Sequence, residues 1–160
     1  MMAPKPKELQ PGDKAPKFKL PTDGGGEIAL SDLKGGPVVL FFYPKDDTSG
    51  CTKEAIAFSD SARRFRNAGA TTVGLSKDSP KSHDKFKKKY GLKVVLASDE
   101  ETKTAAAYGV WVEKSMYGRR YMGMERTTFL IDAKGVIRWV WRKVKVPGHS
   151  DEVLAAVKAL

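Results

Sequence analysis

Cys51 is the residue of this chain whose surroundings best suit chemistry. It is the only cysteine among 160 residues, so no disulfide can form within the chain. It follows a hydrophobic run, Pro37 to Tyr43, and a polar turn, and it opens a segment with helical periodicity. A thiol at a strand-to-helix turn lies where backbone N–H groups and the helix dipole favour the thiolate. The thiolate is the reactive form, so this position suggests nucleophilic chemistry.

A lone cysteine is often only a small buried hydrophobe whose reactivity is irrelevant. The neighbours of this one form a polar turn and not a core pattern, and they are Asp46, Asp47, Thr48, Ser49, Gly50, Thr52 and Lys53. This composition favours a reactive thiol over a buried structural one.

Three further side chains near Cys51 suit attack on a small electrophile. Thr48 precedes it by three residues, close enough in a tight turn for its hydroxyl to reach the sulfur or a bound oxygen. Pro44 limits the freedom of the turn and excludes water, although it could simply end the strand. Glu54 falls on the first helical turn, where it could be a capping residue or could hold an arginine by a bidentate pair.

The elements that must position these residues alternate between strands and helices. The sequence predicts strands at Lys17–Leu20, Glu27–Leu30, Val38–Tyr43, Thr71–Leu75, Val94–Ala97, Thr127–Ile131 and Val136–Arg142. It predicts helices over Cys51–Asn67, Pro80–Lys89, a segment capped by Asp99 or Thr102 that ends at Tyr108, and a last helix capped by Ser150 and Asp151. This order predicts a layered α/β domain with a central mixed sheet, flanking helices and an N-terminal β-hairpin.

Length and composition indicate how the chain is organised. A chain of 160 residues is expected to be one domain, and residues 1–11 are predicted to be a loose arm. The turn Asp23 to Gly26 lacks the helix and the Lys-Ser/Thr of a phosphate loop, so it is predicted to be a hairpin turn. His83 and His149 are too few and too isolated for a metal site, and both are predicted to lie at the surface.

The formal net charge of +10 permits attraction to nucleic acid, anionic membranes or acidic proteins without identifying one. The N-terminus lacks the apolar region of a secretory signal, and no run approaches a membrane span. A single free thiol fits a reducing compartment. The expected location is therefore the cytoplasm, with an organelle form that has lost a transit peptide left open.

The window around Cys51 resembles the active site of the peroxiredoxins. Pro44, Thr48 and Cys51 reproduce their PxxxTxxC motif, and FFYPKDDTSGCTKEA is similar to the PrxQ or bacterioferritin-comigratory-protein subfamily, with Ser49 where proline is usual. The resemblance continues in YGVWVEKSMYGRRYMGMERTTFLIDAKGVIRWVW and in KVPGHSDEVLAAV. It implies a thioredoxin-like fold and a thiol peroxidase that needs no cofactor and no metal.

The resemblance also implies roles for individual residues. The peroxidatic cysteine maps onto Cys51, the threonine that contacts the peroxide onto Thr48, and the active-site arginine onto Arg126. Pro44 corresponds to the shielding proline and Glu54 to the acid that orients the arginine. Arg126 has separate support, because it directly precedes an apolar strand and could project from a sheet edge beside the thiol, where a guanidinium would stabilise developing charge.

The chain departs from many relatives in having no second cysteine. Ile56 stands five residues after Cys51, where many relatives carry a resolving cysteine, and the segment Lys81 to Tyr90 contains none. The protein is therefore expected to be a one-cysteine enzyme and a monomer. Its sulfenic acid would be recycled by an external thiol, which could be glutathione, another small thiol, or a thioredoxin or glutaredoxin acting directly.

Two other classes of function compete with a peroxidase. Thiol–disulfide exchange on a thioredoxin-like scaffold needs a C-x-x-C motif, whose first position is here Thr48. Nucleic-acid binding could use the basic and aromatic run from Lys85 to Tyr90, but a solvated helix face with two core aromatics explains that run better.

Overall fold

The computed structural model describes residues 8–160 and contains nine strands and five α-helices within that range. The strands are β1 (Lys19–Pro21), β2 (Glu27–Ala29), β3 (Val38–Phe42), β4 (Thr71–Ser76), β5 (Val95–Ser98), β6 (Trp111–Met116), β7 (Arg119–Met124), β8 (Thr127–Ile131) and β9 (Ile137–Trp141). The helices are α1 (Ser49–Asp60), α2 (Ala62–Asn67), α3 (Pro80–Tyr90), α4 (Lys103–Ala107) and α5 (His149–Lys158).

A mixed sheet of five strands forms the centre of the molecule, in the order β5-β4-β3-β8-β9. The strand β3 runs parallel to β4 and antiparallel to β8, so it carries both kinds of pairing. All five of its residues are buried, as expected for a central strand covered on both faces. The predicted central mixed sheet flanked by helices is therefore present.

The alternation of side chains along β3 divides the core between the two faces of the sheet. Leu40 and Phe42 face a cluster that includes Phe18, Ile28 and Tyr108 from outside the sheet. Val39 and Phe41 face the opposite cluster, which contains Cys51 and other residues of α1 together with side chains of α2, α3 and α5. Cys51 is thus built into the helical layer over the centre of the sheet.

The helix predicted from Cys51 to Asn67 is longer at its start and divided in its middle. It begins at Ser49, so Cys51 is its third residue, and it is interrupted at Ser61, whose φ of −95° and ψ of 2° depart from helical values. The predicted faces are correct in α2, because Phe65 is buried while its neighbouring arginines are exposed.

Other helix ends follow their sequence signals with one correction, at the start of the last helix. In α3 the Ser79 hydroxyl accepts a hydrogen bond from Ser82 N–H, and Gly91 closes the helix in the left-handed region at φ 62°. At α4 the carboxylate of Asp99, and not Thr102, accepts from the first backbone N–H groups. The last helix begins at His149, one residue earlier than the predicted cap at Ser150.

The hairpin formed by β6 and β7 was not predicted. It pairs with itself outside the central sheet, and its residues are mostly half-buried or exposed, so it lacks the clean alternation of a half-buried strand. Its turn contains Tyr117 and Gly118, both with positive φ, as two-residue hairpin turns require.

The N-terminal region is more ordered than predicted. The hairpin of β1 and β2 is present and antiparallel. The prediction of a loose arm is wrong for residues 8–11, because Leu9 is buried and its carbonyl accepts a hydrogen bond of 2.6 Å from Arg142. The rest of that predicted arm, residues 1–7, lies outside the described residues. Within residues 8–160, no helix has the length and apolar character needed to cross a membrane.

Candidate active site

Cys51 lies in the first turn of α1, just beyond the end of β3. Thr48 is the residue before the helix, with extended backbone angles, and Thr52 N–H makes the first helical hydrogen bond to the Thr48 carbonyl at 2.8 Å. The N–H groups of Gly50 and Cys51 precede this bond, so helix geometry gives them no partner within the helix. Cys51 is only 2% exposed. The sulfur therefore lies in a recessed site at the positive end of a helix.

Arg126 contacts Cys51 from the start of β8, the strand that pairs with β3. It directly precedes β8, whose first residue, Thr127, pairs with Phe42 at the end of β3. The register therefore places Arg126 beside the loop that leads from β3 to α1. Its Nη2 donates a hydrogen bond to Cys51 Sγ at 3.2 Å, and its Nη1 donates to Glu54 Oε1 at 2.7 Å.

The guanidinium is permanently charged in this position. Burial lowers the pKa of Arg126, but the contacts with Glu54 and Cys51 more than offset this effect, so the pKa stands above its ordinary value. A fixed positive charge in contact with sulfur stabilises a thiolate and any negative charge that develops nearby.

Glu54 holds the other side of the guanidinium and is itself 1% exposed. Burial raises its pKa to about 7, even though the contact with Arg126 acts in the opposite direction. Its second oxygen, Oε2, is buried without a hydrogen-bond partner. The carboxyl group of Glu54 and the sulfur of Cys51 thus share a single guanidinium.

Gly50 leaves room for this arrangement. A Cβ placed on Gly50 would lie 3.2 Å from Arg126 Nη2, which is tighter than an ordinary carbon–nitrogen contact. The absence of a side chain at this position lets the guanidinium approach the first turn of α1.

Thr48 is positioned through the loop rather than through the sulfur. Its hydroxyl donates a hydrogen bond of 2.8 Å to the Lys45 carbonyl, and the residue is exposed. Because the hydrogen points at Lys45, the lone pairs of the hydroxyl oxygen are available to accept a hydrogen bond from a ligand. Pro44 is half-buried in the same loop. The structure thus brings Cys51, Glu54 and Arg126 into direct contact and places Thr48 and Pro44 on the loop beside them.

His149 lies behind this site, and the prediction that it is a surface residue is wrong. It is 4% exposed, with Nε2 at 2.8 Å from Thr128 Oγ1 and its ring edge-on to Phe58 and Trp141. Burial, and to a smaller extent Arg126, lowers its pKa to about 4. The ring is therefore neutral near pH 7 and adds no second positive charge behind the guanidinium. Its helical spacing to Val153 was the sequence signal for burial.

His83 is likewise buried and not at the surface as predicted. Its Nδ1 lies 2.7 Å from Asp46 Oδ2, beneath the loop that carries Thr48. The signal that could have found it is its spacing of three residues from Phe86, which places both side chains on the same buried face of α3.

The chain is similar to a family of known proteins along most of its length. Residues 11–140 match the model of the AhpC/TSA family. A bcp-type peroxiredoxin of Coxiella burnetii is 53% identical over 146 residues, which are 91% of this chain and 97% of that protein. Peroxiredoxin Bcp of Bacillus subtilis is 47% identical, with 94% of this chain and 96% of that protein covered.

Solved structures give the same relationship. A cysteine-to-serine mutant of Xylella fastidiosa PrxQ superposes with a TM-score of 0.90 at 39% identity, covering 96% of this chain and 98% of that one. The bacterioferritin comigratory protein of Xanthomonas campestris, whose structure concerns alkyl peroxide reduction, gives a TM-score of 0.85 at 44% identity, covering 89% and 90%.

Proposed function

Because this chain belongs to the AhpC/TSA family, and within it to the peroxiredoxins of the Bcp or PrxQ type, we propose that Cys51 is the nucleophile of its peroxidase reaction. These relatives confirm the thiol peroxidase activity and the thioredoxin-like fold that the sequence predicts. The protein is an oxidoreductase that reduces a peroxide at the expense of a thiol.

The contact between Arg126 and Cys51 is the observation that carries this assignment. Cys51 is the sole thiol of the chain, and it receives a hydrogen bond from a guanidinium at 3.2 Å. A buried thiol without such a partner would favour its neutral, unreactive form, whereas the neighbouring positive charge favours the thiolate.

The proposed reaction is one nucleophilic displacement. The Cys51 thiolate attacks the terminal oxygen of the peroxide, so that an S–O bond forms as the O–O bond breaks. The sulfur is oxidised by two electrons to sulfenic acid, and the remaining oxygen leaves as hydroxide or alkoxide, which takes a proton to become water or alcohol. The backbone N–H groups of Gly50 and Cys51 and the guanidinium of Arg126 surround the reacting atoms and stabilise the charge that develops on them.

The neighbouring residues act on the position of the reactants. The Thr48 oxygen accepts a hydrogen bond from the peroxide O–H and aligns it with the sulfur. Glu54 orients the guanidinium through the contact of 2.7 Å to Nη1. Pro44 shields one side of the thiol from water.

We propose hydrogen peroxide and organic hydroperoxides as substrates, the latter supported by the alkyl peroxide reduction named for the Xanthomonas relative. Since no second cysteine exists to resolve the sulfenic acid, the reductant must be an external thiol, of a small molecule or of a thioredoxin or glutaredoxin. We propose a monomer in the cytoplasm, where such thiols are kept reduced.

The decisive experiment compares peroxide consumption by the wild type and by Cys51→Ser with a small thiol as reductant. The variant should be inactive, while circular dichroism and thermal unfolding show an intact fold. Arg120→Ala, at an exposed position of β7, serves as the control substitution and should keep full activity. Equal turnover by Cys51→Ser and wild type would exclude Cys51 as the nucleophile.

A further inference from the structure

A buried polar cluster lies beneath the loop that carries Thr48, and the reaction described above makes no use of it. Asp46 Oδ1 accepts a hydrogen bond of 2.6 Å from Tyr43 OH. Asp46 Oδ2 accepts from Ser82 Oγ at 2.8 Å and contacts His83 Nδ1 at 2.7 Å. The cluster joins the loop after β3 to the first turns of α3.

The hydrogen-bond geometry shows how the members of this cluster hold one another. His83 Nε2 lies 3.0 Å from the Ala97 carbonyl, a group that can only accept, so Nε2 carries a hydrogen. Asp46 accepts hydrogen bonds from both Tyr43 and Ser82, and its Oδ2 lies 2.7 Å from His83 Nδ1. Burial and the neighbouring Asp46 carboxylate raise the pKa of Tyr43 well above its ordinary value, which keeps the phenol a donor. Asp46 and His83 therefore form a hydrogen-bonded pair that is withdrawn from water.

One peptide group connects this cluster to the catalytic loop. The Lys45 carbonyl and the Asp46 N–H belong to the same planar peptide unit. The N–H donates to Asp78 Oδ2 at 2.9 Å, and the carbonyl accepts from the Thr48 hydroxyl at 2.8 Å. Asp78 is held in turn by Ser76 Oγ at 2.6 Å. The orientation of this peptide therefore fixes the direction in which the Thr48 hydroxyl points.

We propose that Asp46 and His83 are positioning residues of the peroxidase reaction, which anchor the Lys45–Asp46 peptide so that Thr48 presents its oxygen to the peroxide. This inference rests on the function proposed for Thr48 and Cys51. Neither residue touches the sulfur or the substrate, and both act through the Lys45 carbonyl. An error of about 1 Å in the placement of a reacting group can reduce a rate by about 10²-fold, so a buried hydrogen-bonded pair that fixes one peptide can control catalysis.

A second set of hydrogen bonds between the same loop and the same helix provides a matched control. Asp47 accepts hydrogen bonds from Lys89 Nζ, at 2.7 Å, and from Tyr90 OH. The side chains of Lys89 and Asp47 are 58% and 41% exposed, so the contact between them contributes little and is screened by salt. Lys89→Gln removes the contact between Lys89 and Asp47, leaves the hydrogen bond from Tyr90 OH, and does not touch the buried pair.

The experiment measures the second-order rate of the reduced enzyme with hydrogen peroxide in single turnovers. Asp46→Asn and His83→Gln should each lower this rate by about 10-fold to 10²-fold. His83→Asn should recover part of the loss, because its amide can replace Nδ1 as a donor to Asp46, whereas the amide of glutamine replaces Nε2. Lys89→Gln should stay within about twofold of the wild type. Alkylation of Cys51 by iodoacetamide does not need Thr48, and it should change far less than the peroxide rate.

Combination with Thr48→Val separates positioning from a general loss of structure. If Asp46 acts through Thr48, Asp46→Asn should cost little further rate in the Thr48→Val background, and the two effects should not add. Ser82→Ala removes one hydrogen bond from Asp46. It provides the same test of positioning if Asp46→Asn and His83→Gln do not fold.

The two possible failures can be told apart. Additive effects, equal losses in the alkylation and peroxide rates, or a wild-type rate in every variant would overturn the positioning role while wild-type activity stands. A wild type no more active than Cys51→Ser would instead refute the function on which the inference rests.

Discussion

The guanidinium of Arg126 occupies space that a side chain at Gly50 would need. A Cβ on Gly50 would lie 3.2 Å from Nη2, while Glu54 holds Nη1 at 2.7 Å. The guanidinium is therefore confined between a carboxylate and a helix backbone, and its contact with Cys51 Sγ depends on a missing methyl group.

Gly50→Ala should weaken catalysis without weakening the fold. The backbone of Gly50 lies in an ordinary helical turn, outside the left-handed region, so alanine is tolerated and helix propensity improves. The added methyl pushes Nη2 away from the sulfur, and we expect a peroxide rate lower by about 10-fold. Thermal unfolding and single-turnover kinetics measure the two effects. A rate equal to that of the wild type would mean that the guanidinium can shift without consequence.

Arg126→Lys should be a poor enzyme even though it keeps the positive charge. An ammonium group cannot place two parallel N–H donors on Glu54 and Cys51 at once, as the planar fork of arginine does. We expect both Arg126→Lys and Arg126→Ala to lose about 10²-fold or more in reactivity with peroxide, the scale of a single oxyanion donor. Arg119→Ala, exposed on β7, is the control. Wild-type reactivity in Arg126→Ala would transfer the role to another arginine.

Glu54 and His149 should make opposite contributions to stability as the pH changes. The pKa of Glu54 rises from 4.5 to about 7 on folding, so the folded state keeps a proton that the unfolded chain releases, and stability falls as the pH rises through this window. The pKa of His149 falls from 6.5 to about 4, so the unfolded chain gains a proton that the fold excludes, and stability falls as the pH decreases. The two effects oppose each other between about pH 4.5 and 6.5.

Substitution of either residue alone should therefore reveal a pH dependence of stability that the two opposing effects partly cancel in the wild type. Glu54→Gln removes one titration, and its free energy of unfolding should rise between about pH 4.5 and 7 relative to the wild type. The rise should be on the order of 3 kcal/mol. His149→Gln should change in the opposite direction, with stability lost as the pH rises. Urea unfolding at several pH values measures both, and parallel profiles for the two variants would contradict the conclusion that burial favours the neutral forms of these groups.

The oxidised enzyme should keep Cys51 as a sulfenic acid until an external thiol reduces it. After one equivalent of peroxide, mass spectrometry should find mainly monomer with one added oxygen, because Cys51 is 2% exposed and has no partner in its own chain. Excess peroxide should add further oxygens and abolish activity, while a small thiol should form a mixed disulfide and restore turnover. Cys51→Ser should show none of these masses. Rapid and complete formation of a Cys51–Cys51 dimer would contradict this scheme.

Local patterns predicted the elements that hold Cys51, since continuous apolar sequence indicates a buried strand and helical spacing indicates a buried face. They could not indicate which strand would lie beside it. Arg126 is 75 positions away from Cys51, and the family resemblance, more than its place before an apolar strand, identified it. The hairpin of β6 and β7 escaped prediction because its exposure leaves no regular alternation of polar and apolar residues.

The two histidines show a different limit of sequence reasoning. A histidine is buried when partners exist for its nitrogens, and those partners, Asp46 for His83 and Thr128 for His149, lie 37 and 21 positions away. Their helical spacing from Phe86 and Val153 could have indicated a buried face, but the sequence alone did not show that a buried acceptor would be there.

The pairing of β3 with β8 has a consequence for how the enzyme becomes active as it folds. Phe42 meets Thr127 only after the chain has closed a loop that contains four other strands of the molecule, and such distant contacts form slowly compared with local ones. Until that pairing is complete, Cys51 has no guanidinium beside it, however well α1 has formed. A partly folded chain, including one still being synthesised, therefore lacks the guanidinium that stabilises negative charge at Cys51. Full reactivity with peroxide therefore requires the completed pairing of β3 with β8.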